Sequence, residues 1–210
     1  MFFPPPDIER IRLVYEKADM GKALANDVNN TTDLSTLAQG PNKRLDIHPP
    51  SIPIIAIPTS LSAGEYSNFA GGANDTVPGN RKHSFQYPVQ GPRLVILDPA
   101  LATKTPDSIW LSTGIRAVDH CVETLCAVRG PTDTSDAMAR HALGLLVPGL
   151  VKCKADAEGK DTEARLQCQL GSVDAMAACS SGEVQLGASH GIGHQVPLPF
   201  FRTPSHELLC

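Results

Sequence analysis

The chain has 210 residues, 18 Lys and Arg against 22 Asp and Glu, and a formal net charge of -4. That length holds one large domain or two small ones. The acidic balance excludes a nucleic-acid surface, which needs clustered Lys and Arg to displace condensed counterions. No apolar run reaches the roughly 18 residues of a membrane span.

The first seven residues are apolar and Pro-rich, too short for a signal h-region and without a basic n-region. A soluble, cytoplasmic protein is the expectation. Residues 7–25 read as a helix, with Ile8, Ile11, Leu13, Val14, Met20, Ala23 and Leu24 as its stripe. Residues 26–37 are polar loop, and 41–50 are a Pro-bounded loop. Residues 52–57 (IPIIAI) form a short apolar run that fits a buried parallel strand. A turn of small and hydroxyl residues, Thr59-Ser-Leu-Ser-Ala-Gly-Glu65, comes directly after it. Residues 69–83 are loop or hairpin, and 93–98 are a second buried strand closed by Asp98-Pro99.

From about residue 107 the character changes to long Ala/Leu-rich segments. Helices are expected over 108–128, 135–151 (interrupted near Pro148) and 162–180. Residues 187–194 are a weaker helix, because Gly187, Gly191 and Gly193 each cost helix stability. The expected organisation is a partial α/β domain over 1–106 and a partial all-helical domain over 107–210. Cys121, Cys126, Cys153, Cys168, Cys179 and Cys210 form no CxxC pair, which fits reduced thiols, several of them in the core. Cys210 ends the sequence and is a candidate reactive thiol.

Three places are candidates for chemistry. The Thr59–Glu65 turn ends a buried strand, where ligands sit in open α/β sheets. Its hydroxyls suit phosphate or ribose oxygens, although capping alone also explains them. In Gly114-Ile-Arg-Ala-Val-Asp-His-Cys-Val-Glu123, helical spacing puts Arg116, His120 and Glu123 on one face. Arg116 stands where a carboxylate would complete a two-ligand metal edge, and a cation cannot ligate. The alternative is a surface helix with an Arg116–Asp119 ion pair and a solvated histidine. In Ser189-His-Gly-Ile-Gly-His194, two histidines at i, i+4 could meet one metal or substrate. Gly191 replaces the Glu of HExxH, so metalloprotease chemistry lacks its base. Ser62 has no G-x-S-x-G context for a nucleophile.

Five segments, in order, resemble the iron-containing alcohol dehydrogenase family, and most closely its maleylacetate-reductase-like branch. They are Asp19-Met-Gly-Lys-Ala-Leu-Ala25, Ile57-Pro-Thr-Ser-Leu-Ser-Ala-Gly-Glu65, Val95-Ile-Leu-Asp-Pro-Ala-Leu101, Ser112-Thr-Gly-Ile-Arg-Ala-Val-Asp-His-Cys-Val-Glu123 and Gly187-Ala-Ser-His-Gly-Ile-Gly-His194. The resemblance implies an incomplete Rossmann-like dinucleotide-binding sheet and then helices, a dehydroquinate synthase-like architecture. It implies an NAD(P)-dependent oxidoreductase with its active site between the two domains. Asp19, Lys22, Thr59, Leu61, Ser62, Lys82 and Leu101 match cofactor-contacting positions. His120 and His190 match two metal-ligand positions, and His194 matches the histidine beside the nicotinamide.

The departures shape the expectation. Residues 11–18 stand where the family has its Gly-rich phosphate loop, and bulky side chains restrict pyrophosphate approach there. Arg116 replaces the family's aspartate ligand, and no third histidine stands at the matching spacing after His190. Family members are about twice as long, so the chain reads as the middle of one. The expected reaction is hydride transfer from NAD(P)H to an oxo-acid or enone, without iron. Arg116, His120 and His194 would be its catalytic residues, with Arg116 binding a substrate carboxylate. The partner is then a small, carboxylate-bearing molecule, with a homodimer left open. Two alternatives stand beside it: a conventional Fe²⁺ or Zn²⁺ alcohol dehydrogenase, and a truncated, non-catalytic helical interaction protein.

Overall fold

The computed structural model describes residues 48, 53–67, 69–74, 81–86, 92–181 and 184–190, with the backbone alone at 65, 69–74 and 81–86. The expected helix at 7–25, the loops at 26–37 and 41–50 apart from His48, and Cys210 lie outside these residues. Two compact units form. One comprises Met1–Ala56 and Gly64–Val95, the other Ile57–Ala63 and Ile96–Cys210. The division differs from a cut at 107, because residues 57–63 and 96–106 go with the helices.

In the first unit, β1 (Ile55–Ala56) pairs in parallel with β4 (Leu94–Val95), in the register Ile55↔Leu94 and Ala56↔Val95. The Arg93 N–H donates to the Ile54 carbonyl at 2.8 Å, extending the contact. The parallel pairing agrees with the reading of the two apolar runs. Their full burial does not hold: Ile55 is 60% and Leu94 50% exposed. A parallel pair needs helices over its faces, and the described residues of this unit contain no α-helix. The loop-or-hairpin segment is a hairpin. Its strands are β2 (Phe69–Asn74) and β3 (Arg81–Gln86), antiparallel from Phe69↔Gln86 to Asn74↔Arg81. Before the hairpin, a single 3₁₀ turn covers Gly64–Tyr66.

The described residues of the second unit include the α-helices α1 (Pro99–Ala102), α2 (Asp107–Leu125), α3 (Asp133–Ala155) and α4 (Thr162–Ser180). Helix α1 is absent from the sequence expectation, which ends the strand at Asp98-Pro99 and begins the helices near 107. Asp98 is its N-cap, accepting from the Leu101 N–H at 2.9 Å, and Pro99 opens the first turn. α3 begins with a reciprocal capping box between Thr132 and Ser135. α4 begins on Asp161, whose carboxylate accepts from the Ala164 N–H at 2.9 Å.

α3 runs on past Pro148, contrary to the expected interruption. A proline ring crowds the carbonyl four residues earlier. That residue is Gly144, on the exposed side of the helix with open space around its Cα. Gly149, Leu150 and Cys153, just beyond the proline, are buried. Burial on both sides of Pro148 holds the helix through the break.

Small residues let α3 and α4 approach closely. A Cβ on Gly149 would stand 2.7 Å from the Cys168 Sγ, and one on Gly171 would stand 2.8 Å from the Leu146 Cγ and 3.1 Å from the Ala142 carbonyl oxygen. One apolar cluster joins Leu61, Ala102, Trp110, Leu150, Cys153, Ala164 and Cys168. A second joins Ala117, Cys121, Ala139, Ala142, Leu146, Ala175 and Ala178. The core-thiol reading holds: Cys121, Cys153, Cys168 and Cys179 are buried and form no disulfide, while Cys126 is exposed. Burial, with Cys179 and Asp174 nearby, pushes the Cys121 thiol up to about 12. The buried Arg165 guanidinium lies over the Trp110 ring, 4.5 Å from its centroid, and donates to Asp107 at 2.9 Å.

Two glycines on α3 and α4 separate propensity from packing. Gly144→Ala enters open space and should raise thermal stability by up to about 1 kcal/mol. Gly171→Ala meets a carbonyl and two leucine side chains and should lower it by about 1–3 kcal/mol despite the better propensity. Thermal denaturation of the two variants followed by circular dichroism reads both signs.

Candidate active site

The turn after β1 is fixed to the helices by its backbone. The Leu61 N–H donates to the Thr113 Oγ1 on α2 at 3.1 Å. The Leu61 carbonyl accepts from the Ser172 Oγ on α4 at 3.0 Å. The Thr59 carbonyl accepts from the Thr105 Oγ1 at 2.7 Å. Gly114 is the matching gap on α2, since a Cβ there would collide with the Leu150 Cδ2 and stand 3.1 Å from the Leu61 Cδ1. Ala63 closes the turn with φ of 61°, a left-handed backbone at a non-glycine residue.

This geometry gives Leu61 a structural task. Its side chain has no exposed surface, and its backbone N–H and carbonyl are both engaged. It anchors the turn to the helices. The groups left facing outward are Thr59, exposed, and Ser60 and Ser62, whose Oγ atoms lie 3.1 Å apart. Both serines are half-buried. Ala63 aside, this is a short run of hydroxyls held rigidly from behind.

Further along α2 stand Arg116, half-buried, and His120, only 3% exposed. That burial overturns the solvated-histidine alternative. His120 faces His190: their ring centroids are 5.4 Å apart with planes at 48°. The structure therefore brings together two residues that lie 70 positions apart. Arg116 is close enough to Cys179 to favour its thiolate, but burial dominates and holds that thiol up at about 11.

His190 belongs to a helical turn over residues 188–190, which agrees with the weak helix expected from 187. The turn starts against Glu123, a residue that helical spacing puts on the His120 face without indicating a role. The Glu123 carboxylate is buried and accepts from the N–H groups of Gly187, Ser189 at 2.8 Å and His190 at 3.3 Å. The Ser189 hydroxyl donates to the Asp119 carboxylate at 2.6 Å. A charged residue three positions after a histidine is too common a pattern to announce such a contact.

The remaining expected positions are spread. Leu101 is on α1 and 41% exposed. The Lys82 backbone lies in β3 opposite Ala73. Asp19, Lys22 and His194 are outside the described residues. Among the described residues, no cluster of three or more His, Cys, Asp or Glu is placed to hold a metal ion. His120 and His190 give two imidazoles, against the three protein ligands that a catalytic zinc site takes. The nearest position one turn back on α2 carries the cation Arg116. The described residues alone do not complete a divalent-metal site.

Residues 110–204 match the Fe-containing alcohol dehydrogenase family, C-terminal. Dehydrogenase FUM7 from Gibberella moniliformis is 38% identical over 161 residues, covering 71% of this chain and 37% of the relative. The NAD-dependent methanol dehydrogenase of Bacillus methanolicus is 31% identical, covering 71% of this chain and 38% of the relative. The crystal structure of maleylacetate reductase from a Rhizobium species shares the fold, with a TM-score of 0.62, 22% identity and coverage of 74% of this chain and 42% of that one. The chain thus spans about two fifths of the length of these proteins.

Removing the hold on the turn has a measurable cost. Thr113→Val keeps the side-chain shape but strips the acceptor from the buried Leu61 N–H, which should lower stability by about 1–3 kcal/mol. In a chain of this size that is a fall in Tm of roughly 2–4 °C per kcal/mol. Calorimetry of the variant checks it.

Proposed function

Because residues 110–204 match the Fe-containing alcohol dehydrogenase family, C-terminal, we propose that the chain is part of an NAD(P)-dependent oxidoreductase and contributes to both its dinucleotide and its substrate site. The observation that supports this best is the facing pair His120 and His190, with Arg116 one turn from His120 on the same helix. The proposed reaction is hydride transfer between a nicotinamide and the carbonyl, or conjugated enone, of a small oxo-acid.

The hydroxyls of Thr59, Ser60 and Ser62 suit the phosphate or ribose oxygens of the dinucleotide, because each is a donor on a backbone that does not need to reorganise. Lys82, Asp19, Lys22 and Leu101 are proposed as further cofactor contacts. When bound, the reduced nicotinamide supplies the hydride. Arg116 presents a planar fork of donors, which grips a substrate carboxylate at two points and turns the neighbouring carbonyl toward the histidines. His120, as imidazolium, donates a hydrogen bond to the carbonyl oxygen and passes it a proton as the carbon receives the hydride. Burial of His120 removes competing water and strengthens that bond. His194 is proposed as the second histidine of this step. A homodimer and a cytoplasmic setting are part of the same proposal. No helix among the described residues is long and apolar enough to cross a membrane.

A metal-dependent alcohol dehydrogenase is the second reading, favoured by the His120–His190 contact. It requires a third protein donor from beyond the described residues. Metal content of the purified chain, measured before and after chelation, separates the two readings.

Titration of the chain with NADH and NADPH, followed by cofactor fluorescence, should give saturable binding to at least one of them. No saturation with a folded chain would sink the dinucleotide site. Arg116→Ala should raise KM for a carboxylate substrate by about 10–100-fold, the effect of losing a two-point ionic contact. KM for an uncharged ketone or aldehyde should stay within about twofold. Steady-state kinetics on the two substrate classes tests this, and an equal effect on both would remove the carboxylate role.

A further inference from the structure

We propose that Glu123 is the positioning residue of His190: its buried carboxylate gathers the N–H groups of Gly187, Ser189 and His190 and so sets where the His190 ring stands against His120. This rests on the reading of His120 and His190 as site residues. It adds a device for assembling them from distant parts of the chain.

The geometry leads to this role in four steps. Glu123 comes three residues after His120 on α2, so helical geometry puts both on one side, a turn apart. The first N–H groups of a helix lack intrahelical partners. Here one carboxylate serves three N–H groups, with Oε1 accepting from Ser189 and His190 and Oε2 accepting from Gly187. These are charge-assisted bonds at the positive end of a helical turn, where an anion is favoured. One of the three donors is the His190 N–H itself, so the bond network fixes that residue's backbone to α2 directly.

Gly187 fits the same device. A Cβ there would stand 3.1 Å from the Glu123 Oε2 and 3.5 Å from its Oε1. A side chain at 187 would therefore push the carboxylate away from the amides. Asp119, one turn before Glu123, adds a second attachment through the Ser189 hydroxyl at 2.6 Å. His120 lies between the two carboxylates in sequence, and the ring of His190 arrives 5.4 Å from it. Glu123 itself is occupied by backbone amides. It acts through His190 and is not a catalytic residue.

The test is a pair of variants in the full chain. Glu123→Gln keeps the size but turns an amide NH₂ toward N–H donors. Glu123→Asp keeps the charge but withdraws it by one methylene, and it serves where the first variant fails to fold. Two readouts apply: the nuclear Overhauser signal between the ring protons of His120 and His190, and amide hydrogen exchange along the chain. The wild type should show the ring signal and slow exchange at 187, 189 and 190. A folded variant should lack the ring signal and exchange about 10-fold faster at those amides, while α3 and α4 stay within about twofold.

Persistence of the ring signal and of the amide protection in a folded variant would overturn the proposal. So would an even rise in exchange across α2, α3 and α4, which would make Glu123 a general stability residue. If the wild type binds neither NADH nor NADPH and the variants lack the ring signal, the oxidoreductase reading falls and the positioning role stands.

Discussion

The buried backbone of Leu61 is the constraint on which the candidate site depends. A buried N–H and a buried carbonyl must each find a partner, or cost the molecule more than an ordinary hydrogen bond contributes. Leu61 finds them on two different helices, Thr113 of α2 and Ser172 of α4. Those two bonds, with Gln169 reaching the Pro58 carbonyl at 3.4 Å and Thr105 reaching that of Thr59, leave the turn little freedom. They also explain why residues 57–63 form a compact unit with the helices and not with the strand just before them. The local sequence there, rich in Ser, Thr and Ala, reads as a turn of small and hydroxyl residues whose attachments are not evident. Tertiary hydrogen bonds make it a fixed one.

Helix α2 organises the rest of the candidate site. Its buried positions Trp110, Thr113, Gly114, Ala117, His120, Cys121, Glu123 and Thr124 recur at helical spacing. Within that face the roles change along the axis. Trp110 joins the core under the Arg165 guanidinium, Thr113 and Gly114 receive the turn, and His120 and Glu123 receive the segment at 187–190. The step from Thr113 to His120 is about 10.5 Å at the helical rise. One rigid element thus sets the separation between the hydroxyl turn and the histidine pair. A helix end or a loop at either place would leave that separation to fluctuate.

The sequence makes the helices legible where period and cap agree. For α4, Asp161 supplies the cap and the expected limits, 162 and 180, are those observed. α2 starts one residue earlier than expected and ends three residues earlier, at Leu125. The differences have separate causes. α1 is four residues long, too short for a periodic signal, and only its Asp-Pro start marks it. Pro148 breaks the local rule for α3, but its neighbours are buried against α4, and packing outweighs propensity. The apolar runs at 52–57 and 93–98 show strand character, yet hydrophobicity alone does not show whether a cover is present. At the site, motif spacing singles out both His120 and His190. It does not show that Glu123 joins them, because a carboxylate bonded to backbone amides leaves no trace in the partner's side chains.

Arg116 and Glu123 flank His120 on α2 and carry opposite charges. Glu123 is committed to three amides, and its charge is spread over the start of the turn that carries His190. In the proposed reading, the guanidinium of Arg116 meets a substrate carboxylate. A carboxylate at position 116 would invert that preference and complete a cation site with the two imidazoles. A guanidinium there repels a divalent cation and, in the proposed reading, draws a substrate carboxylate toward His120. In the proposed reading, exchange of this one side chain would move the site from Lewis-acid activation of an alcohol toward ionic capture of an oxo-acid. The same two histidines serve both, since an imidazole that can ligate a metal can equally, when protonated, hydrogen-bond a carbonyl oxygen.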